Sequence, residues 1–169
     1  TPKHVCEAAK QAIDEGYFKY TPVSGYQDLR EAICQKLQRD NQLSYKPNQI
    51  VVSTGAKQSI ANLALCLLNP GDEVIIFAPY WVSYIEIVKL AGAVPVLVEG
   101  AFENGLKVTA EQVEQAITPK TKAILFSSPC NPTGAVWSEE ETKALAGVLQ
   151  RNPQIMAIAD EIYEYIQFK

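Results

Sequence analysis

Histidine is nearly missing from this 169-residue chain: His4 is the only one, and neither a cysteine beyond Cys6 nor a second histidine lies nearby to share a metal ion. A Ser-His-Asp hydrolase would have to take its base from that one residue, near the start of a helix-like segment where exposure is expected. No G-x-S-x-G turn follows any apolar run either, so this chemistry is disfavoured. The four cysteines, Cys6, Cys34, Cys66 and Cys130, form no C-x-x-C pair. That spacing argues against a zinc site and against a small disulfide framework, and leaves buried free thiols as the expectation. No apolar run approaches the roughly 20 residues that cross a bilayer, and Thr1 opens a helix rather than a charged-then-apolar leader. A surplus of one charge sign is also lacking: 15 basic against 19 acidic residues leave −4, with lysines and arginines scattered singly. Without a basic stripe, nucleic acid and membrane surfaces are not expected partners, and a soluble, cytoplasmic protein is expected.

What is present is the material of a globular α/β domain. Hydrophobic residues make up 47% of the chain, enough to bury a continuous core. Thr1-Pro2 is a helix-start pair, Val5, Ala8, Ala9, Ala12 and Ile13 keep a helical period, and Gly16 suits the C-terminal cap. After an irregular stretch from Tyr17 to Gly25, Ser24 and Gln27 have the spacing of a capping box before a helix carrying Leu29, Ile33 and Leu37. From Ile50 the pattern turns regular, with apolar runs at 50–52, 74–77, 94–98, 123–126 and 155–159 reading as strands. Helical segments separate them: Lys57 to Leu68, Ser83 to Ala91, one opened by Thr109 with Gln112, and one opened by Ser138 with Glu141. Parallel strands need crossover helices, so the spacing predicts a three-layer α/β/α fold around a mainly parallel sheet, with no linker dividing the chain. The absence of an initiator methionine and the strand-like run from Tyr165 to Lys169 suggest a piece of a longer protein.

Open α/β sheets bind ligands beyond the carboxyl ends of their strands, so the residues that follow each apolar run are the first candidates. Gly55-Ala56-Lys57 opens a helix directly after the first run. Unpaired backbone N–H groups at such a start favour an anion, although a strand-Gly-helix turn taken alone is equally a tight connection. Trp81 follows the second run, as a core aromatic or as a platform for a flat ligand. Asn131 is held between Pro129 and Pro132, a rigid setting that suits an aimed side chain and equally an ordinary turn. Asp160 brings a carboxylate to the end of an apolar strand, where it needs a cation or donors, or serves to cap the next segment. Tyr163 follows it, as packing or as a donor.

Taken together, these segments resemble the class I aminotransferases, pyridoxal-phosphate enzymes of fold type I, and look most like the bacterial aspartate aminotransferases. The resemblance rests on Tyr20-Thr21-Pro22 through Gly25, Leu29-Arg30-Glu31-Ala32, the Gly55-Ala56-Lys57-Gln58 turn, Pro79-Tyr80-Trp81-Val82-Ser83-Tyr84, Ser128 through Gly134, and Asp160-Glu161-Ile162-Tyr163. It spans nearly the whole chain and implies that residues 1–169 are part of the cofactor-binding large domain. By that resemblance Asp160 meets the protonated pyridine nitrogen of pyridoxal 5′-phosphate, Asn131 and Tyr163 donate to its phenolate oxygen, and Trp81 stacks on the ring. Backbone N–H groups of Gly55, Ala56 and Lys57 receive the phosphate, and Tyr20 reaches the phosphate of a neighbouring subunit, which implies a homodimer. Lys57, with Trp81 and Asn131, also faces the substrate, and a lysine at this place points to a substrate with a distal carboxylate. The implied activity moves an amino group between aspartate, or another acidic amino acid, and 2-oxoglutarate.

The same resemblance places the Schiff-base lysine tens of residues beyond the Asp-x-x-Tyr segment, and Lys169 is too near and lacks the serine-rich surroundings. The arginine for the substrate α-carboxylate is expected downstream as well, so the isolated chain is expected to be inactive. Two other readings stay open. One is another fold type I enzyme, an aromatic or alanine aminotransferase or a carbon–sulfur lyase; the other is a non-catalytic ligand-binding module that keeps the fold.

Overall fold

The computed structural model describes residues 1–166, which fall into two compact units divided between Ser53 and Thr54. Lys169 and the end of the strand-like run from Tyr165 lie outside the described residues. Tyr165 itself belongs to a turn rather than a strand.

The N-terminal unit holds α1 (Lys3–Asp14) and α2 (Gln27–Asn41). As expected, α1 stops at Gly16: with φ +84° it lets its own N–H bond Ile13 O and the Tyr17 N–H bond Ala12 O, the paired closure of a Schellman motif. His4 is exposed. The capping box expected at Ser24 does not form. Tyr26 is the N-cap of α2, and the Gln27 amide instead donates to Glu31 and accepts from Arg30. The reason lies in the preceding backbone, because Ser24 O accepts the Val52 N–H and Gly25, at φ +92°, packs so closely on Val52 that a Cβ there would lie 2.6 Å from its side chain. Ile50 to Val52 likewise do not form a strand. Among the described residues the segment finds no ladder partner beyond that single Val52 bond, and Val51 is exposed.

The second unit is a sheet of four parallel strands, β1 (Glu73–Ala78), β2 (Val94–Glu99), β3 (Thr121–Ser127) and β4 (Met156–Asp160), in the order β2-β1-β3-β4. Four helices belong to it: α3 (Ala56–Leu67), α4 (Ser83–Leu90), α5 (Ala110–Ala116) and α6 (Glu139–Arg151). The central strands are apolar without alternation because both faces are covered. One face carries Val74, Ile76, Ala123 and Leu125 against Ile60 and Ala64 of α3 and Tyr84, Ile87 and Val88 of α4. The other carries Ile75, Phe77 and Ile124 against Val113 of α5 and Leu145 and Val148 of α6. Ile75, Ile76 and Ile124 are fully buried, and each such side chain contributes about 1.5–3 kcal/mol. Pro95 is accommodated because β2 is an edge of this sheet, where the missing N–H costs no ladder bond.

Both remaining capping boxes form as read: Thr109 with Gln112 opens α5, and Ser138 with Glu141 opens α6. Two expectations need adjustment. β4 is not the buried apolar strand its composition suggests, since among the described residues it lies at the sheet edge and Met156 is half exposed. Cys6 and Cys66 are exposed free thiols rather than buried ones, because each falls on an outward helical position.

Candidate functional site

Parallel strands place their carboxyl ends on one edge, and the segments leaving β1, β3 and β4 meet there with the start of α3. Between them lies a cavity of about 200 Å³ whose walls include Ala56 and Lys57 from α3, Trp81 from the β1–α4 connection, Asn131 after β3, and Asp160 and Tyr163 after β4. Six positions selected from the sequence thus line one hollow. Gly55 stands just behind as the N-cap of α3, at φ +92°. Tyr20 is fully exposed within the N-terminal unit.

Each wall is fixed by local chemistry. The Thr54 N–H bonds Gln58 Oε1 at 2.6 Å and Gly55 O accepts from Gln58 and Ser59 N–H, which shapes the first turn of α3. The backbone N–H groups of Ala56 and Lys57 have no partner among the described residues, and an anion is the natural one at a helix start. Lys57 Nζ lies 4.8 Å from the centroid of the Trp81 ring. Trp81 in turn stands edge-on to Tyr84, centroids 5.7 Å apart at 89°.

The turn bearing Asn131 is pinned by Cys130 N–H to Ala135 O at 2.9 Å and Gly134 N–H to Cys130 O at 2.7 Å. Cys130 Sγ also donates to Pro79 O at 3.3 Å, joining the turn to the loop after β1. Ala78-Pro79, Ser128-Pro129 and Asn131-Pro132 are all cis. Asn131 and Tyr163 also wall a second, broader hollow of about 640 Å³.

Asp160 is half-buried, and its Oδ2 accepts the Tyr84 hydroxyl at 2.7 Å while Oδ1 lies 3.3 Å from the Ile162 N–H. Burial first, and then the carboxylate that accepts its proton, push the Tyr84 hydroxyl well above the ordinary tyrosine range, against a weaker opposite effect of the Ser127 hydroxyl. Tyr84 therefore stays a donor at any working pH. Ser127 Oγ is buried and has no hydrogen-bond partner among the described residues.

The cavity therefore offers an anion-receiving helix start, a flat aromatic wall, amide and phenol donors, and a carboxylate with lone pairs to spare. These groups suit a phosphorylated aromatic ring bearing a protonated nitrogen, and the donor set fits pyridoxal 5′-phosphate. Tyr84, Ser127 and Ile162 line the same cavity and have no site role in the sequence reading. The signal for Ser127 lies in the register, which sets it beside Asp160; Tyr84 and Ile162 fall within the Pro79–Tyr84 and Asp160–Tyr163 segments that carry the resemblance, but nothing local marks them as facing the cavity.

The arrangement is that of an α/β domain with a candidate site at the carboxyl edge of its parallel sheet. The chain belongs to the family described as aminotransferase class I and II, whose model matches residues 1–169. It is 52% identical over 168 residues to the aspartate/prephenate aminotransferase of Cereibacter sphaeroides, covering 99% of this chain and 42% of that protein. It is 49% identical to the aspartate aminotransferase of Bacillus subtilis, again over 99% of the chain and 42% of the relative. Among solved structures it is similar to the aspartate aminotransferase of Rhizobium meliloti, with TM-score 0.97 and 44% identity over 100% of this chain and 42% of that one. The alanine aminotransferase of Pyrococcus furiosus has the same fold here, with TM-score 0.95 and 30% identity over 99% of this chain and 42% of that one. The chain thus spans 42% of the length of these relatives. Among the described residues no helix is long and apolar enough to cross a membrane.

Proposed function

We propose that the whole protein carrying this chain transfers an amino group from aspartate, or another acidic amino acid, to 2-oxoglutarate with pyridoxal 5′-phosphate as cofactor. The observation that carries the reading is the convergence of Lys57, Trp81, Asn131, Asp160 and Tyr163 on one cavity at the carboxyl edge of the sheet. The names of the aspartate aminotransferases at about half identity support the donor.

When bound, the cofactor supplies an electron-withdrawing ring that makes the substrate Cα–H acidic. Asp160 would hold a proton on the ring nitrogen through a charge-assisted bond worth about 1.5–3 kcal/mol. The N–H groups at the start of α3 would bind the phosphate, Trp81 would cover one ring face and exclude water, and Asn131 and Tyr163 would donate to the ring oxygen. Lys57 would meet the distal carboxylate of the substrate. Tyr20 would complete the phosphate site of a second copy in a homodimer, and the lysine and arginine that hold cofactor and α-carboxylate would come from other parts of the protein.

The test is a coupled assay of the full-length protein with pyridoxal 5′-phosphate, aspartate and 2-oxoglutarate. Oxaloacetate formation is expected there, and none from residues 1–169 alone. Turnover of alanine or aromatic donors in preference to aspartate would overturn the substrate assignment. A second acceptor merits the same assay, because relatives at 52% and 47% identity are named aspartate/prephenate aminotransferases; prephenate is a 2-oxo acid and would be consumed alongside 2-oxoglutarate.

A further inference from the structure

Asn131 is carried by a turn whose shape is set from within. Cys130 N–H bonds Ala135 O at 2.9 Å, Gly134 N–H bonds Cys130 O at 2.7 Å, and the N–H groups of Ala135 and Trp137 bond Thr133 Oγ1 and Ser128 Oγ, each at 3.1 Å. Bonds inside a turn fix its form and leave its place at the sheet edge open. The far end is placed by Trp137, whose ring packs against Phe77 and Phe126 with centroids 5.5 and 5.6 Å away. The near end, where Asn131 stands, is placed by another contact: Cys130 Sγ donates to Pro79 O at 3.3 Å, across 51 residues of sequence. Pro79 lies two residues before Trp81, and Cys130 one before Asn131. The thiol thus joins the loop that carries the aromatic wall of the cavity to the turn that carries its amide.

We propose that Cys130 is a positioning residue, whose thiol holds the Asn131 turn to the Trp81 loop and so sets the Asn131 amide relative to the indole. Its effect is indirect, because Cys130 itself need not touch the ligand. The proposal rests on the cofactor reading above, in which Asn131 donates to the ring oxygen. A donor to that oxygen stabilises its anionic form, so a turn that drifts away raises the pH at which the bound cofactor gives up its proton. A thiol is a weak donor, and the effect is correspondingly modest.

The experiment compares four variants of the full-length protein: Cys130→Val, which keeps bulk and removes the donor, Cys130→Ser, which keeps a donor, Asn131→Ala, and the pair Cys130→Val with Asn131→Ala. The readouts are the pH midpoint of the visible absorption of bound pyridoxal 5′-phosphate and the dissociation constant of pyridoxamine 5′-phosphate, followed by protein fluorescence. Cys130→Val is expected to raise the midpoint by about half a unit and to weaken binding about threefold, the scale of one modest hydrogen bond. Cys130→Ser is expected between the valine variant and the parent. Asn131→Ala is expected to raise the midpoint further, with no additional rise when the valine is added, since both act through one amide. If Cys130→Val melts earlier but keeps the midpoint and affinity of the parent, the thiol only packs and the proposal is wrong. A full additional rise from the valine in the Asn131→Ala background overturns it too, because Cys130 would then act without Asn131. Should Cys130→Val fail to fold, Cys130→Ala takes its place, and an unchanged midpoint there rejects the positioning role. An unchanged midpoint in Asn131→Ala is distinguishable from all of these, because it removes the cofactor reading of Asn131 itself.

Discussion

The Lys57 ammonium stands 4.8 Å from the centroid of the Trp81 indole, so the cation that would meet a substrate carboxylate rests on the aromatic wall of the same cavity. A cation so placed is attracted by the ring face by about 0.5–1 kcal/mol at an exposed site, too little to hold it against a carboxylate. Lys57→Gln is therefore expected to raise KM for aspartate about tenfold, a loss of ~1.4 kcal/mol, while leaving KM for alanine within a factor of two. Steady-state kinetics of the full-length protein on both donors measures it. An equal rise for both donors would assign Lys57 to the phosphate or to packing instead.

Gly55 is the next position where backbone and chemistry coincide. A Cβ there meets nothing within 4 Å, so the cost of Gly55→Ala comes from φ +92° alone. Such strain is worth about 1–2 kcal/mol. The expected outcome is a lower melting temperature for the protein without ligand together with weaker binding of pyridoxamine 5′-phosphate, as the turn relaxes and swings the Ala56 and Lys57 N–H groups away. Differential scanning fluorimetry with and without the ligand separates the two effects.

At the start of α6, Lys107 lies 2.6 Å from Glu141, whose carboxyl also accepts the Ser138 N–H at 2.7 Å. The Lys107 hydrogen bond, followed by that backbone donor, holds the Glu141 carboxyl below the usual glutamate range. A carboxylate depressed in the folded state contributes stability above its unfolded pKa and loses it as pH falls through the folded value. Glu141→Gln should therefore destabilise at pH 7 by no more than about 1 kcal/mol, since solvent screens the pair. The difference from the parent should close below pH 4, as measured by urea denaturation across pH. A difference that persists at pH 3 would mean that the loss is one of packing.

The fold was legible where one local rule decides the outcome. Thr109 with Gln112 and Ser138 with Glu141 open helices as their spacing says, and the unbroken apolar runs of β1 and β3 announce a sheet covered on both faces. The same spacing at Ser24 and Gln27 misleads, because the Ser24 carbonyl is engaged by Val52, a residue far along the chain. Ile50 to Val52 have strand composition, yet a strand also needs a partner edge, which composition does not encode. In the site, Asp160 and Asn131 were visible because they interrupt apolar or flexible surroundings with a constrained polar group. Tyr84 was not: it sits in an ordinary helical period, and its significance comes from an acceptor 76 residues away.

The central claim is that the cavity bounded by Lys57, Trp81, Asn131, Asp160 and Tyr163 binds pyridoxal 5′-phosphate through the Asp160 charge. Its most direct test is a spectrophotometric titration of the full-length protein and of Asp160→Asn with that cofactor. The expected result is saturable binding by the parent and an affinity lower by about tenfold or more in the variant, which keeps the shape and loses the charge. Equal affinity of the two proteins, or no saturable binding by the parent, would contradict the account.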